Sequence, residues 1–175
     1  AVFEPGHSLN PELWQQFEQN RLTVIRQVKY DPSNENELDL VLFLNGLPIV
    51  TVELKNAFTH QTAEHARPQY CKDRAPKAPI FRWNTKATRA LVNFAVDADT
   101  AWMTTRLEGK STYFLPFNRG DGLGAGNPAV ADKHRTHYLW EQVWERRSLL
   151  DLVSRFLHYQ SAGKKSILLF PRYHQ

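Results

Sequence analysis

Residues 36–56 read Asn36-Glu37-Leu38-Asp39-Leu40-Val41-Leu42-Phe43-Leu44-Asn45-Gly46-Leu47-Pro48-Ile49-Val50-Thr51-Val52-Glu53-Leu54-Lys55-Asn56, two apolar, β-rich runs joined through Asn45-Gly46. Asn-Gly between such runs is the strongest short-range signal for a β-hairpin. Three charges, Asp39, Glu53 and Lys55, stand inside it. Side chains alternate along a strand, so Glu53 and Lys55 share a face with Thr51, and Val52 and Leu54 point the other way. The turn decides where Asp39 goes. A two-residue loop pairs Asp39 with Val52 and puts it on the face opposite Glu53. A three-residue loop, Leu44-Asn45-Gly46 with Gly46 left-handed, pairs Asp39 with Thr51 and makes Glu53 its diagonal neighbour. The expectation is the three-residue loop, which gathers all three polar groups.

Two readings of these charges are open. On a solvated strand face, Glu-x-Lys is a surface pair that contributes a few tenths of a kcal/mol. Against that, both runs are apolar at nearly every other position on both faces, the pattern of a sheet covered on two sides. Charges at the edge of such a core need a partner or a metal.

The order helix, strand, strand, strand, helix, strand, with Asp39 on the second strand and Glu53-Leu54-Lys55 on the third, resembles the PD-(D/E)xK nuclease superfamily. The runs Asn20-Arg21-Leu22-Thr23-Val24, Leu38 to Pro48, Val52 to Asn56, Met103-Thr104-Thr105-Arg106-Leu107 and Phe114 to Gly120 resemble the N-terminal nuclease domain of type I restriction endonuclease R subunits, over nearly the whole chain. Phe170 to Gln175 is similar to the lead-in to the helicase motor of that family. The resemblance implies an α/β fold with a mixed α+β sheet flanked by helices, a nuclease domain over 1–160, and a linker and motor start over 161–175. It implies a double-stranded DNA substrate, specificity and methyltransferase subunits as partners, and ATP acting only through a motor outside this chain. It further implies that Asp39, Glu53 and Lys55 are catalytic. Asp39, one Glu53 oxygen and the Leu54 carbonyl would hold Mg2+, with Mn2+ as a substitute, in an oxygen-rich shell. Lys55 would orient or help deprotonate the attacking water and offset developing negative charge. A Gln-x-x-x-Tyr motif belongs to the following helix in this family; here Gln69 and Tyr70 are adjacent, so the pattern is not met. Rival classes are a non-catalytic binding module on the same fold and a stand-alone repair nuclease.

Composition is compatible with one domain: 175 residues, 42% hydrophobic, enough for a single core without staples. The lone cysteine, Cys71, excludes an internal disulfide and fits a reducing cytoplasm, which the family resemblance implies is bacterial or archaeal. No apolar run approaches the roughly 18–20 residues of a membrane span, and the polar N-terminus lacks a signal-peptide core. Lys and Arg number 22 against 18 Asp and Glu, with a pI near 9.3. The basic residues gather at Arg67, Lys72, Arg74, Lys77, Arg82, Lys86 and Arg89, and again at Arg106, Lys110 and Arg119, with aromatics interleaved. Such side chains can give salt-sensitive phosphate affinity. Gln69, Tyr70, Lys72, Arg74, Arg106 and Lys110 are the candidates to face DNA; ordinary packing and a solvated face are the alternative.

Asn10-Pro11 predicts a first helix with Leu9 stapled onto Trp14, and Glu18 at its end is either a metal neighbour or a surface residue. Arg21 to Tyr30 alternates as a strand. Thr62 is a candidate cap for a second helix carrying Ala63, Ala66 and Tyr70, although Pro68 interrupts it. Ala90–Val96 and Ala101–Leu107 predict strands joined by a turn in which Asp97 and Asp99 bond backbone amides. The Gly-rich run 120–128 satisfies no phosphate-loop pattern. Tyr138–Arg146 and Leu149–Tyr159 predict helices with a Ser148/Asp151 capping box, and with Trp140, Trp144 and Phe156 buried either in this domain or against the motor that the resemblance places outside this chain. His134-x-x-His137, and His60 with His65, carry no zinc pattern in a chain with one cysteine.

Overall fold

The first helix, α1 (Pro11–Glu18), begins where a capping side chain and a proline coincide. Asn10 Oδ1 accepts from the N–H groups of Glu12 (3.1 Å) and Leu13 (3.2 Å), and Pro11 sits where no N–H is needed. The expected staple is absent: Leu9 is 85% exposed. Trp14 is held instead by its indole N–H, which donates to the His7 carbonyl at 2.9 Å, and by an edge-on contact with buried Phe17. The computed structural model describes residues 2–55, 63–82, 89–162 and 165–174. Thr62, His60 and Lys86 therefore lie outside the described residues.

Six strands form one sheet in sequence order: β1 (Leu22–Lys29), β2 (Glu37–Leu44), β3 (Leu47–Leu54), β4 (Val92–Val96), β5 (Ala101–Thr104) and β6 (Leu115–Pro116). All neighbours are antiparallel except β3 and β4, which run parallel and enclose the crossover helix α2 (Ala63–Lys72). This is the mixed α+β sheet the sequence implied. β1 is an edge strand; Val24 and Ile25 are exposed on it, and Gln27 adopts a left-handed φ of 51° where the ladder would place it opposite Asp39.

The hairpin departs from expectation in its turn. Leu44 pairs with Leu47, so the loop is the two-residue Asn45-Gly46, with φ of 50° and 82°. Those left-handed values match the twist of the flanking strands, and Asn45 is held there by Arg21, whose N–H donates to Asn45 Oδ1 and whose carbonyl accepts from Asn45 N, both at 2.8 Å. A bulge then restores what the shorter turn takes away. Phe43 pairs with Pro48 but Leu42 pairs with Val50, leaving Ile49 as the extra residue. Ile49 and Val50 consequently both pack into the same core, and from Thr51 onward the strand's parity is switched.

The sheet separates two apolar layers. One face carries Leu42, Leu44, Val50, Val52, Phe94 and Met103, packed against Phe17 and the C-terminal helical segment. The other carries Val41 and Ala95, covered by Ala66 and Tyr70 of α2 and by Ile80 and Phe81. α2 continues through Pro68, and its first described N–H, that of Ala63, is taken by Asp97 Oδ2 at 2.6 Å. The other Asp97 oxygen accepts from Asp99 N and Thr100 N, so Asp97 does form the expected turn.

The C-terminal segment is less regular than its periodicity suggested. A π-helical turn at Leu139–Val143, α3 (Arg146–Asp151) and a second π-helical turn at Leu152–Phe156 replace two long helices. Glu145, not Ser148, caps α3, accepting from Arg147 N and Ser148 N. Trp140 and Phe156 are exposed, whereas Leu149 and Leu150 are buried. Tyr159 belongs to β7 (His158–Ala162), which pairs with β8 (Lys165–Leu169) where a helix end and a linker were expected. Phe170 just beyond β8 returns to the core, edge-on to Phe94.

Candidate active site

The switched parity on β3 builds the site. Leu40 pairs with Val52, so the next step of the antiparallel ladder sets Asp39 directly opposite Glu53, closer than the diagonal relation expected. The Leu54 N–H donates to Asp39 Oδ2 at 2.6 Å, which ties that carboxylate to β3. Lys55 extends β3 by one residue: its N–H donates to the Val96 carbonyl at 2.8 Å, and alternation returns it to the face of Glu53.

Glu53 is fully buried beneath α2. Its Oε1 accepts from Arg74 Nε at 2.7 Å, and Arg74 is itself only 4% exposed. Its Oε2 has no hydrogen-bond partner among the described residues. Burial pushes the Glu53 carboxyl up to about 7; Arg74 pulls the other way, and the facing Asp39 carboxylate adds to the rise. Behind it, Thr51 donates to Asn93 Oδ1 at 2.7 Å and shares a 2.9 Å hydrogen bond with the Tyr70 hydroxyl. These bonds fix the polar floor of the site within an otherwise apolar layer.

Two facing carboxylates with an unsatisfied buried oxygen make an all-oxygen donor set, the kind that suits a hard divalent cation. Among the described residues, no group of three or more His, Cys, Asp or Glu side chains could hold a metal. The fit therefore rests on the Asp39–Glu53 pair and nearby backbone oxygen such as the Leu54 carbonyl.

Residues 12–112, more than half of the chain and the part containing Asp39, Glu53 and Lys55, match the family model of the type I restriction enzyme R protein N terminus. The chain belongs to that family. It is also 23% identical over 174 residues to a protein of Methanocaldococcus jannaschii named for the endonuclease subunit of the type I restriction enzyme MjaVIIIP. That alignment takes in 93% of this chain and 14% of the relative, so the chain spans about a seventh of the relative's length.

In this R-protein N-terminal chain, the residues expected to face DNA divide into two groups. Tyr70 and Arg74 are buried, one bonded to Thr51 and the other to Glu53, so both support the site from beneath. Lys72 and Lys110 are exposed, Gln69 is half-buried, and Arg106 pairs with Glu108 at 3.0 Å. Glu18 is a surface residue paired with Arg146 at 2.9 Å, away from the carboxylate pair in the sheet. The Arg74–Glu53 pair could not be found from spacing, because the two lie 21 residues apart on different elements. The available signal was physical: a glutamate in an apolar strand demands a cation.

Proposed function

We infer that this chain is the DNA-cutting domain of a type I restriction enzyme R subunit, hydrolysing phosphodiester bonds with Mg2+. The observation that carries the reading is the facing pair Asp39 and Glu53, with Lys55 following on the same strand, inside the segment that matches the family. The residues to hold the cation are Asp39, Glu53 through Oε2, and the Leu54 carbonyl, with Mn2+ as a substitute. When bound, the cation supplies Lewis-acid stabilisation of charge on the phosphate and a more acidic water. The Leu54 N–H keeps Asp39 turned toward Glu53. Lys55 places a compact positive charge beside the scissile phosphate and orients the attacking water. We further propose, on the family resemblance and because the chain covers only 14% of its longer relative, that cutting follows ATP-driven translocation by a motor elsewhere in the subunit, with specificity and methyltransferase subunits completing the complex on double-stranded DNA.

The test is cleavage of unmodified circular DNA by the full-length subunit with its partners, ATP and Mg2+. Asp39→Ala, Glu53→Ala and Lys55→Ala are each expected to abolish cutting while ATP hydrolysis continues. Calorimetry should find Mn2+ binding in the wild type and its loss in Asp39→Ala. Cutting retained by any of the three variants overturns the assignment. DNA binding without metal-dependent nicking in the wild type would point instead to an idle nuclease fold.

A further inference from the structure

Arg74 has no role in the chemistry just assigned, yet it is the most deeply committed cation of the site. It lies just past the end of α2, and its guanidinium reaches both strands that carry the carboxylates. Nε and Nη2 each stand 2.7 Å from Glu53 Oε1, and Nη2 also donates to the Glu37 carbonyl at 2.7 Å. Glu37 is two residues from Asp39 on β2. The neighbouring Asp73 carbonyl accepts from Asn36 Nδ2 at 3.3 Å, a second tie to the start of β2. The guanidinium carbon also lies 5.5 Å from the Tyr30 ring centroid.

The geometry is unusual in one respect. A guanidinium that simply neutralises a carboxylate meets it fork to fork, one nitrogen on each oxygen. Here both nitrogens converge on Oε1, and Oε2 is left without a partner among the described residues. We propose that Arg74 is a positioning residue: it takes one oxygen of Glu53, anchors β2 beside β3, and so holds the other oxygen toward Asp39 for a divalent cation. The proposal rests on the metal-holding reading above. It differs in sign from simple electrostatics, in which a nearby positive charge only repels a second cation.

The experiment measures Mn2+ affinity by calorimetry, and nicking against metal concentration, in the full-length subunit as wild type, Arg74→Gln, Arg74→Lys and Asp39→Ala, with circular dichroism as the check on folding. Arg74→Gln is expected to weaken Mn2+ binding by about 10- to 100-fold, the usual effect of removing a group that orients a metal ligand. Arg74→Lys should lose less, since one ammonium keeps the charge but cannot reproduce the forked contact with Glu53 and Glu37. Unchanged or tighter binding in a folded Arg74→Gln overturns the proposal, and so does wild-type affinity in Arg74→Lys. If Arg74→Gln fails to fold, Arg74→Lys decides alone; loss of fold in both makes Arg74 a purely structural ion and also overturns it. Mn2+ binding in the wild type that vanishes in Asp39→Ala keeps the metal reading intact whatever Arg74 does. No binding in the wild type ends both.

Discussion

Glu53 combines three conditions that a strand residue seldom meets together: complete burial, a guanidinium on one oxygen and, among the described residues, no hydrogen-bond partner on the other. Its raised pKa of about 7 has a thermodynamic consequence. Between the ordinary glutamate range near 4.5 and about 7, the folded chain retains a proton that the unfolded chain has released. By linkage this group's contribution to stability therefore falls as pH rises through that window, and the loss is complete above it. Denaturation in chelator at a series of pH values should show the slope in the wild type and its disappearance in Glu53→Gln; identical slopes would contradict it. Replacing Arg74 with Met leaves the buried carboxylate unpaired and should cost about 3–5 kcal/mol, whereas the Glu53→Gln, Arg74→Met double variant should recover much of that. At this scale the face shared by the charges was more legible than what lies around them. Alternation and an odd shift across the hairpin put Asp39 and Glu53 on one face, and the register of β2 and β3 does so by another route. Arg74 and Tyr70 were read as groups facing DNA, because a basic or aromatic residue in sequence does not reveal which side of a helix or loop the core will claim.

At the scale of the element, the hairpin shows how two local features can replace one. Parity required an odd shift between Asp39 and Glu53, and a three-residue loop was the simplest device. The chain uses an even turn and one bulged residue, Ile49, and the register that ends at Leu40 and Val52, carried one step further, sets Asp39 across from Glu53 in place of a diagonal. Asn45-Gly46 showed that a turn is there but not its two-residue length, and the bulge was missed although Pro48, which has no N–H for the ladder, is a residue that a central strand keeps to its start or to a bulge. Gly46 sits at φ 82° with open space around the position of a Cβ, so Gly46→Ala meets only conformational cost. Thermal denaturation should register about 1–2 kcal/mol, and a larger loss would mean that the turn also sets the register. Asn10→Ala should remove about 1 kcal/mol through the cap of α1. The C-terminal helices were misjudged for a related reason. Apolar spacing in 138–159 reports which residues are buried, but π-helical turns and a strand can satisfy the same contacts with Leu149, Leu150 and Leu152.

Across the whole molecule, the two faces of the sheet have different work. One is an apolar layer of interlocking rings, with Phe94 at 5.1 Å from Phe117, 5.3 Å from Trp144 and 6.2 Å from Phe170. The other mixes apolar packing with the polar floor on which Glu53 rests. No helix among the described residues is long and apolar enough to cross a membrane. The layer order was legible from hydrophobic runs on both sides of β2 and β3, and the return of Phe170 was not, because a glycine-lysine run reads as a tether. Among the described residues the sheet ends on one side at β1, whose outer edge meets no further strand and whose Val24 and Ile25 are exposed. Such an edge is a template for self-association. Left-handed Gln27 interrupts it after Arg26, limiting the sticky run to Leu22–Arg26, so Ile25→Lys should delay heat-induced turbidity while changing stability by no more than about 0.5 kcal/mol. The kink beside Asp39 thus also shortens the stretch of edge on which a second copy could pair.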